Sequence, residues 1–383
     1  MLESQEHLFS LPADLHYLNC AYMSPLPKPV MEAGIAGLRR KCDPSTIAQE
    51  DFFLDCDEIR RRFARLVNIP DPRTVAIIPS ASYGLAIVAR NSPVRGDQNI
   101  VTAADQFPSN VYAWRRIAED TGAELRVVSP PESDDRSAAW SDSLLEAIDR
   151  STAIVALGHI HWTDGTLIDL ERIGAHAREV GAAFIVDGTQ SVGALPFDVQ
   201  ELKPDALVCP AYKWLLGPYG IGVAYYGARY ADGVPLEETW IGRTGSEDFR
   251  RLVDYQDTYR PGAIRYDAGE SSDFAHAPML KTALGMILEW GVEEIQRYCG
   301  SLVAPLAHAV RGRGWTIDEE ANRAGHVLGI RMPPTFNTSR LKEALDEHNV
   351  SVSLRGDSIR ISPHVYNDAE DIDALIAALD SAL

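Results

Sequence analysis

The sequence predicts an α/β protein with a large domain on a mainly parallel seven-stranded sheet and a small α+β C-terminal domain. Three observations carry this. First, seven short β-rich runs follow one another: VAIIP (75–79), NIVTA (99–103), LRVVS (125–129), AIVALG (153–158), AAFIVD (182–187), DALVC (205–209) and GVAYYG (222–227). Second, most are separated by helical patterns such as SNVYAWRRIAEDTG and LIDLERIGAHAREVG, the latter reaching Gly181 where a helix C-terminus favours glycine. Apolar strands separated by helices imply a layered architecture whose sheet is covered on both faces. Third, the texture changes after about residue 276: residues 278–314 read as long helices, HVLGIRM, VSVSL and SIRIS as a small sheet, and DAEDIDALIAALDSAL as a last helix capped by Asn367 or Asp368.

Taken in order, YLNCAYMSPLP reads as an extended lead, and KPVMEAGIAGLRRKC and DFFLDCDEIRRRFARLV as two helices. The expected division is an extended segment over 1–25, a large domain over 26–275 and the small domain over 276–383. A Gly-rich loop, not a helix, joins DALVC to GVAYYG. The stretch from Arg243 to Phe274 is long, polar and irregular, and long ordered loops often carry function.

Composition narrows the function. The 383 residues carry 36 Lys+Arg against 55 Asp+Glu, a net charge of −19, with no long basic run, which argues against a nucleic-acid partner and for a small molecule. No 18-residue apolar run occurs, so no membrane span is expected. Glu3 and Glu6 stand where an export signal would be basic, and the five cysteines are odd in number without a CxxC pair; a reducing cytoplasm is the expected location.

AAFIVD delivers Asp187 to the carboxyl end of its strand, where open α/β sheets bind ligands. Alone, such an aspartate more often merely caps the next turn. In PAYKWLLGPYGIG, Lys213 sits among Tyr212, Trp214, Leu215 and Leu216, surroundings that would desolvate an amine and leave it nucleophilic; a lysine snorkelling from an aromatic patch is the alternative. Together, an amine and a strand-end carboxylate are the two groups that pyridoxal phosphate chemistry most needs.

AFIVDGTQSVGALPFDV, DALVCPAYKWLLGPYGIGVAYYG and SIRISPHVYNDAEDIDAL resemble the class V aminotransferases, a group that includes cysteine desulfurases, kynureninase and isopenicillin N epimerase. The resemblance runs from YLNCAYMSPLP to the final helix and implies a fold type I, aspartate aminotransferase-like enzyme that uses pyridoxal 5'-phosphate. It implies that Lys213 condenses with the cofactor aldehyde and carries the Cα proton, that Asp187 pairs with the pyridine nitrogen, and that Gln190 meets the phenolic oxygen. Ala81 and Ser82 in SASYGLA, with Tyr212, fall where relatives hold the cofactor phosphate. Phe107 falls at the ring-stacking position, where desulfurases have a histidine; a phenyl ring stacks but transfers no proton. Asn110 and Trp114 are expected along the same wall, and Trp162 and Thr163 line the site. Arg360 matches the substrate-carboxylate arginine, with Arg355 and Asn19 as further substrate-side residues. WIGR, beginning at Trp240, resembles a segment that reaches the phosphate of a neighbouring subunit, which implies a homodimer with shared active sites.

His159 and His161 form an HxH pair, but no further ligand cluster accompanies it and no metal is expected. The family's reactions diverge from one Cα carbanion. NVSVSLRGDSIRIS lacks the loop cysteine of persulfide-forming desulfurases, and Cys209 and Cys299 do not replace it. The expected reaction is transaminase-type on an amino acid, with C–S lyase or epimerase chemistry as alternatives. A non-catalytic module that kept the cofactor pocket is the competing reading from another class. A nucleotide-dependent oxidoreductase and a serine hydrolase rank below it, for want of GxGxxG, a P-loop or GxSxG.

Overall fold

The computed structural model describes residues 2–133, 135–310, 315–333, 338–356 and 358–382; the last four residues of the helical run expected over 278–314 lie outside them. The chain begins with a short strand β1 (His16–Tyr17), then helices α1 (Lys28–Cys42) and α2 (Asp51–Leu66). An alternating series follows: β2 (Val75–Ile78), α3 (Ala81–Arg90), β3 (Asn99–Ala103), α4 (Tyr112–Thr121), β4 (Glu124–Val128), α5 (Arg136–Ala147), β5 (Thr152–Gly158), α6 (Leu170–Val180) and β6 (Ala183–Asp187). It continues through α7 (Val199–Leu202), β7 (Ala206–Pro210) and β8 (Gly222–Tyr226). The rest comprises α8 (His276–Trp290), α9 (Val292–Val310), β9 (Thr316–Ile317), β10 (Leu328–Arg331), α10 (Thr338–Glu347), β11 (Val350–Ser351), β12 (Ser353–Arg355), β13 (Ser358–Ile361) and α11 (Ala369–Ser381).

The large sheet has seven strands in the order β2-β8-β7-β6-β5-β3-β4. Only β8 runs against the other six strands, as a strand entered through a short loop without a crossover helix must. The apolar runs are continuous because both faces are covered. Along β6, Phe184 and Val186 enter one core cluster and Ala183 and Ile185 the other, the two-residue period of a strand. Asp169 and Asp198 cap α6 and α7, and left-handed Gly122 and Gly181 end α4 and α6.

A second, four-stranded sheet, β12-β13-β10-β9, packs with α9, α10 and α11 into its own core. The N-terminal segment joins it: β1 pairs in parallel with β11, and Leu18 is buried in that core. Helix α8, assigned by sequence to the small domain, lies instead on the large one. Its apolar face, including Leu280, Leu284 and Ile287, is matched by α1 and α2, and the core changes hands within α9, between Cys299 and Val303.

Arg60 on α2 ties this layer to the sheet edge. It is buried, donates to Asp267 through Nη1 at 3.2 Å and Nη2 at 2.5 Å and to the Val75 carbonyl, while Asp267 also accepts from Ile77 N. Removing one partner of such a pair strands a buried charge, so Asp267→Asn is expected to destabilise the protein by about 3–5 kcal/mol. The check is the urea midpoint, and an unchanged midpoint would show that the pair contributes little.

Candidate active site

The carboxyl ends of β5, β6 and β7 bring the predicted carboxylate and amine to one edge of the sheet. Asp187 ends β6 and is buried. Its Oδ1 accepts from Thr189 N at 3.0 Å and from Thr189 Oγ1, which fixes the carboxylate plane and leaves Oδ2 without a hydrogen-bond donor among the described residues. Burial raises its pKa; the Thr189 bonds and the Lys213 charge oppose that shift. A cationic N–H at Oδ2 is the partner such a group lacks.

Lys213 lies three residues beyond β7 and is buried. Desolvation, with repulsion from Arg360, lowers its pKa to about 8, although Asp187 pulls the other way. Its Nζ has no hydrogen-bond acceptor among the described residues and lies 5.6 Å from the Phe107 ring centroid and 5.5 Å from that of Tyr212. The loop is set by close packing against the Asp187 segment. Gly193 has φ +106°, and a Cβ there would sit 2.3 Å from the Trp214 carbonyl oxygen. Because burial penalises the ammonium, the amine is charged below about pH 8 and neutral above it. Acetylation of Lys213 in cofactor-free protein is therefore expected to rise with pH to a midpoint near 8; a midpoint above ~10, the ordinary lysine range, would contradict this environment.

Gln190 follows Asp187 by three residues and bonds to Trp214, the residue after Lys213. Its Nε2 donates to the Ala21 carbonyl at 3.2 Å, its Oε1 accepts from Trp214 Nε1 at 2.9 Å, and its carbonyl is 2.8 Å from His326 Nε2. The amide is thus oriented, with its second N–H to spare. On the far wall Arg360, 1% exposed, donates to the Trp162 carbonyl at 2.6 Å and to Ser353 Oγ at 3.4 Å, while Ser353 Oγ donates to Asn19 Oδ1 at 2.8 Å. Its Nε is buried without an acceptor and it meets no carboxylate among the described residues. Burial and the neighbouring Arg355 lower its pKa to about 10.

Ser80 caps α3 by accepting from Tyr83 N and lies 3.0 Å from Ser82 Oγ, leaving the first-turn N–H groups of Ala81 and Ser82 without intrahelical acceptors. Phe107 is 38% exposed and edge-on to Trp162 at 5.5 Å, so its ring fronts the site and is not core. Trp162 Nε1 donates to the Asp105 carbonyl at 2.6 Å. Tyr212 packs at a tilt against Tyr219, with ring centroids 4.7 Å apart, and burial raises its hydroxyl to about 12. Asn110 and Trp114 bond to each other at 2.9 Å in the interior. His161 is engaged by Thr163 Oγ1 at 2.7 Å and the Ala104 carbonyl, while His159 packs against Phe197, so the two rings serve different neighbours. Within its own chain Trp240 does not join this group. It packs with Phe52, Phe53 and Phe249.

Sequence reasoning missed the supports: Thr189 behind Asp187, Trp214, His326 and Ala21 around Gln190, and Ser353 behind Arg360. It also passed over Cys20, which is fully buried and interacts electrostatically with Lys213 and Arg360. Burial pushes its thiol up to about 12. Ser353 alone had a readable signal, since it faces Arg360 across the β12–β13 hairpin.

The residues present fit pyridoxal 5'-phosphate: free N–H groups at a helix start for a phosphate, an unfilled carboxylate oxygen for a pyridinium, an unpaired amine for an aldehyde, and an exposed ring to stack on. Fold and site together define a pyridoxal-phosphate-dependent α/β enzyme. The family Aminotransferase class-V matches residues 17–375, and the chain belongs to it. It is 26% identical over 343 residues to a probable cysteine desulfurase of Pyrococcus abyssi, covering 85% of this chain and 82% of that one. It is 24% identical over 380 residues to isopenicillin N epimerase of Streptomyces clavuligerus, covering 95% and 94%. The crystal structure of the cysteine desulfurase CsdA from Escherichia coli has the same fold, with a TM-score of 0.81 at 21% identity over 98% of this chain and 97% of that one. Among the described residues no helix is long and apolar enough to cross a membrane.

Proposed function

We propose that this enzyme acts at Cα of an amino acid by transaminase-type chemistry, with Lys213 carrying the Cα proton and Arg360 gripping the α-carboxylate. The observation that carries the reading is a buried, unbonded amine of lowered pKa beside a buried arginine that has no acid partner. When bound, pyridoxal phosphate supplies an aldehyde for amine condensation and a ring that withdraws electrons from Cα. The chain's residues do the rest. Ala81 and Ser82 hold the phosphate, Asp187 Oδ2 keeps the pyridine nitrogen protonated, and Gln190 donates to the phenolic oxygen. Phe107 covers one ring face, and Asn19, through Ser353, steadies Arg360. Lys213, neutral above about pH 8, accepts and returns a proton at Nζ.

Two relatives bear names for other outcomes, a desulfurase and an epimerase. Release of sulfur without a protein persulfide is the second reading. Cys20 is buried and protonated, and residues 349–362 contain no cysteine to accept sulfur. An amino-acid panel with product identification separates these. A keto acid with aminated cofactor supports transamination, pyruvate with ammonia or sulfide supports elimination, and an inverted amino acid supports epimerisation.

The active unit in this reading is a homodimer. Met31, Ile35 and Leu38 expose one apolar face of α1, and Tyr22 and Met23 extend it to Ser24, whose N–H donates to the Tyr212 carbonyl at 3.0 Å beside Lys213. Leu38 and Trp240 line one surface cleft, which supports a reading in which the segment from Trp240 to Arg243 reaches the neighbour's phosphate site. Light scattering showing a monomer at micromolar concentration would remove this part of the proposal.

A further inference from the structure

The cations at this site exceed what the reaction at Cα uses. In a chain with a net charge of −19, Lys213, Arg355 and Arg360 converge here, and among the described residues Asp187 is the one carboxylate acting on Lys213. The hairpin geometry explains the convergence. Ser353 pairs with Arg360 and Arg355 with Ser358 across β12 and β13, so the two arginines are diagonal neighbours on one sheet face, a spacing of about 7–8 Å with the Cβ atoms somewhat closer. Like charges in that relation repel, and each lowers the charged form of Lys213.

Among the described residues Arg355 has no ion-pair partner to explain its place. Its Nη1 donates only to the carbonyl of its own neighbour, Leu354, at 2.9 Å, its Nε is buried without an acceptor, and it meets no carboxylate among the described residues. It is nevertheless held, because its guanidinium lies 5.7 Å from the centroid of the Trp162 ring, and the Trp162 carbonyl is bonded by Arg360. Trp162 therefore spaces two guanidinium forks, both with donors unspent. An α-carboxylate satisfies one fork.

We infer that the substrate is an amino acid bearing a second carboxylate-type anion on its side chain, with Arg360 taking the α-carboxylate and Arg355 the distal group. This rests on the proposed role of Arg360. A charge-assisted fork is worth about tenfold to a hundredfold in affinity.

The test is calorimetric titration of the holoenzyme with the dicarboxylates from malonate to adipate and with the monoamide of each. At least one chain length is expected to bind about 10- to 100-fold more tightly than its monoamide. Arg355→Gln is expected to bring that ratio to about one, and Arg355→Lys, which keeps the charge but loses the fork, to an intermediate value. Dicarboxylates no better than monoamides, or an unchanged ratio in Arg355→Gln, would overturn the inference while leaving the amino-acid reading intact. Loss of bound cofactor absorbance in Arg355→Gln would assign that arginine to the cofactor and overturn it equally. Failure of every carboxylate to bind cofactor-loaded wild-type protein would instead sink the role given to Arg360, and this inference with it.

Discussion

Lys213→Ala is expected to abolish turnover, by at least about 10⁴-fold, while the protein still takes up cofactor. Positioned general acid–base groups contribute about 10²–10⁴-fold, and a lost nucleophile adds to that. Among the described residues, the side chains nearest Lys213 are poor substitutes. Phe107 transfers no proton, the Tyr212 hydroxyl is raised to about 12, and the Cys20 thiol is fully buried and equally raised. Cofactor retention is expected because the groups assigned to its phosphate, ring nitrogen and phenolic oxygen belong to α3, Asp187 and Gln190, none of which depends on Lys213 for its geometry. Borohydride should fix cofactor to the wild-type peptide around residue 213 and leave the variant unlabelled. Added methylamine should restore a small part of the turnover by supplying a diffusible base. Wild-type turnover in this variant would refute the assignment.

The strands that frame this site were legible because each is buried on both faces and so reads as an unbroken apolar run. NIVTA is β3 residue for residue, and VAIIP, AAFIVD and GVAYYG differ from β2, β6 and β8 by one residue at one end. Strand order was not legible. Nothing in GVAYYG announces that β8 inserts between β2 and β7, since that placement depends on the short return after Lys213 and on pairing with a strand some 150 positions earlier. The division at residue 276 followed a change of texture, whereas the core follows contact. The apolar face of α8 is matched by α1 and α2.

In the site, residues that end strands or follow them at short range could be read directly, as Asp187 and Lys213 were. The supports of Gln190 could not. Trp214, His326 and Ala21 hold it through contacts between segments well apart in sequence. Trp240 shows the reverse limit. Its motif was visible, but within its own chain it packs on Phe52 and Phe249 and does not join the Lys213 pocket.

Asp187→Asn is expected to lower kcat/KM by about 10²–10⁴-fold with little change in fold. Asparagine keeps the size of the side chain, and its carbonyl can still accept from Thr189 N and Oγ1, the two bonds that orient Asp187 Oδ1. What it loses is charge at the second oxygen. The carboxylate is buried, which by itself favours the neutral acid, so the negative charge persists only if a cation answers it. In the proposed site that cation is the protonated pyridine nitrogen, and the protonation of each group sustains the other. A buried pair of this kind is worth about 3–5 kcal/mol when one partner is removed, and each 1.36 kcal/mol is tenfold in rate, which gives the range above. An amide cannot hold the ring proton, so the ring withdraws fewer electrons from Cα. The decisive measurement is rescue. Reconstituting Asp187→Asn with pyridoxal phosphate methylated at the ring nitrogen supplies a permanent positive charge that needs no carboxylate, and turnover should recover by at least tenfold over the variant with ordinary cofactor. Equal turnover with the two cofactors would mean that Asp187 holds the loop and not the ring charge, and its role would pass to positioning through Thr189.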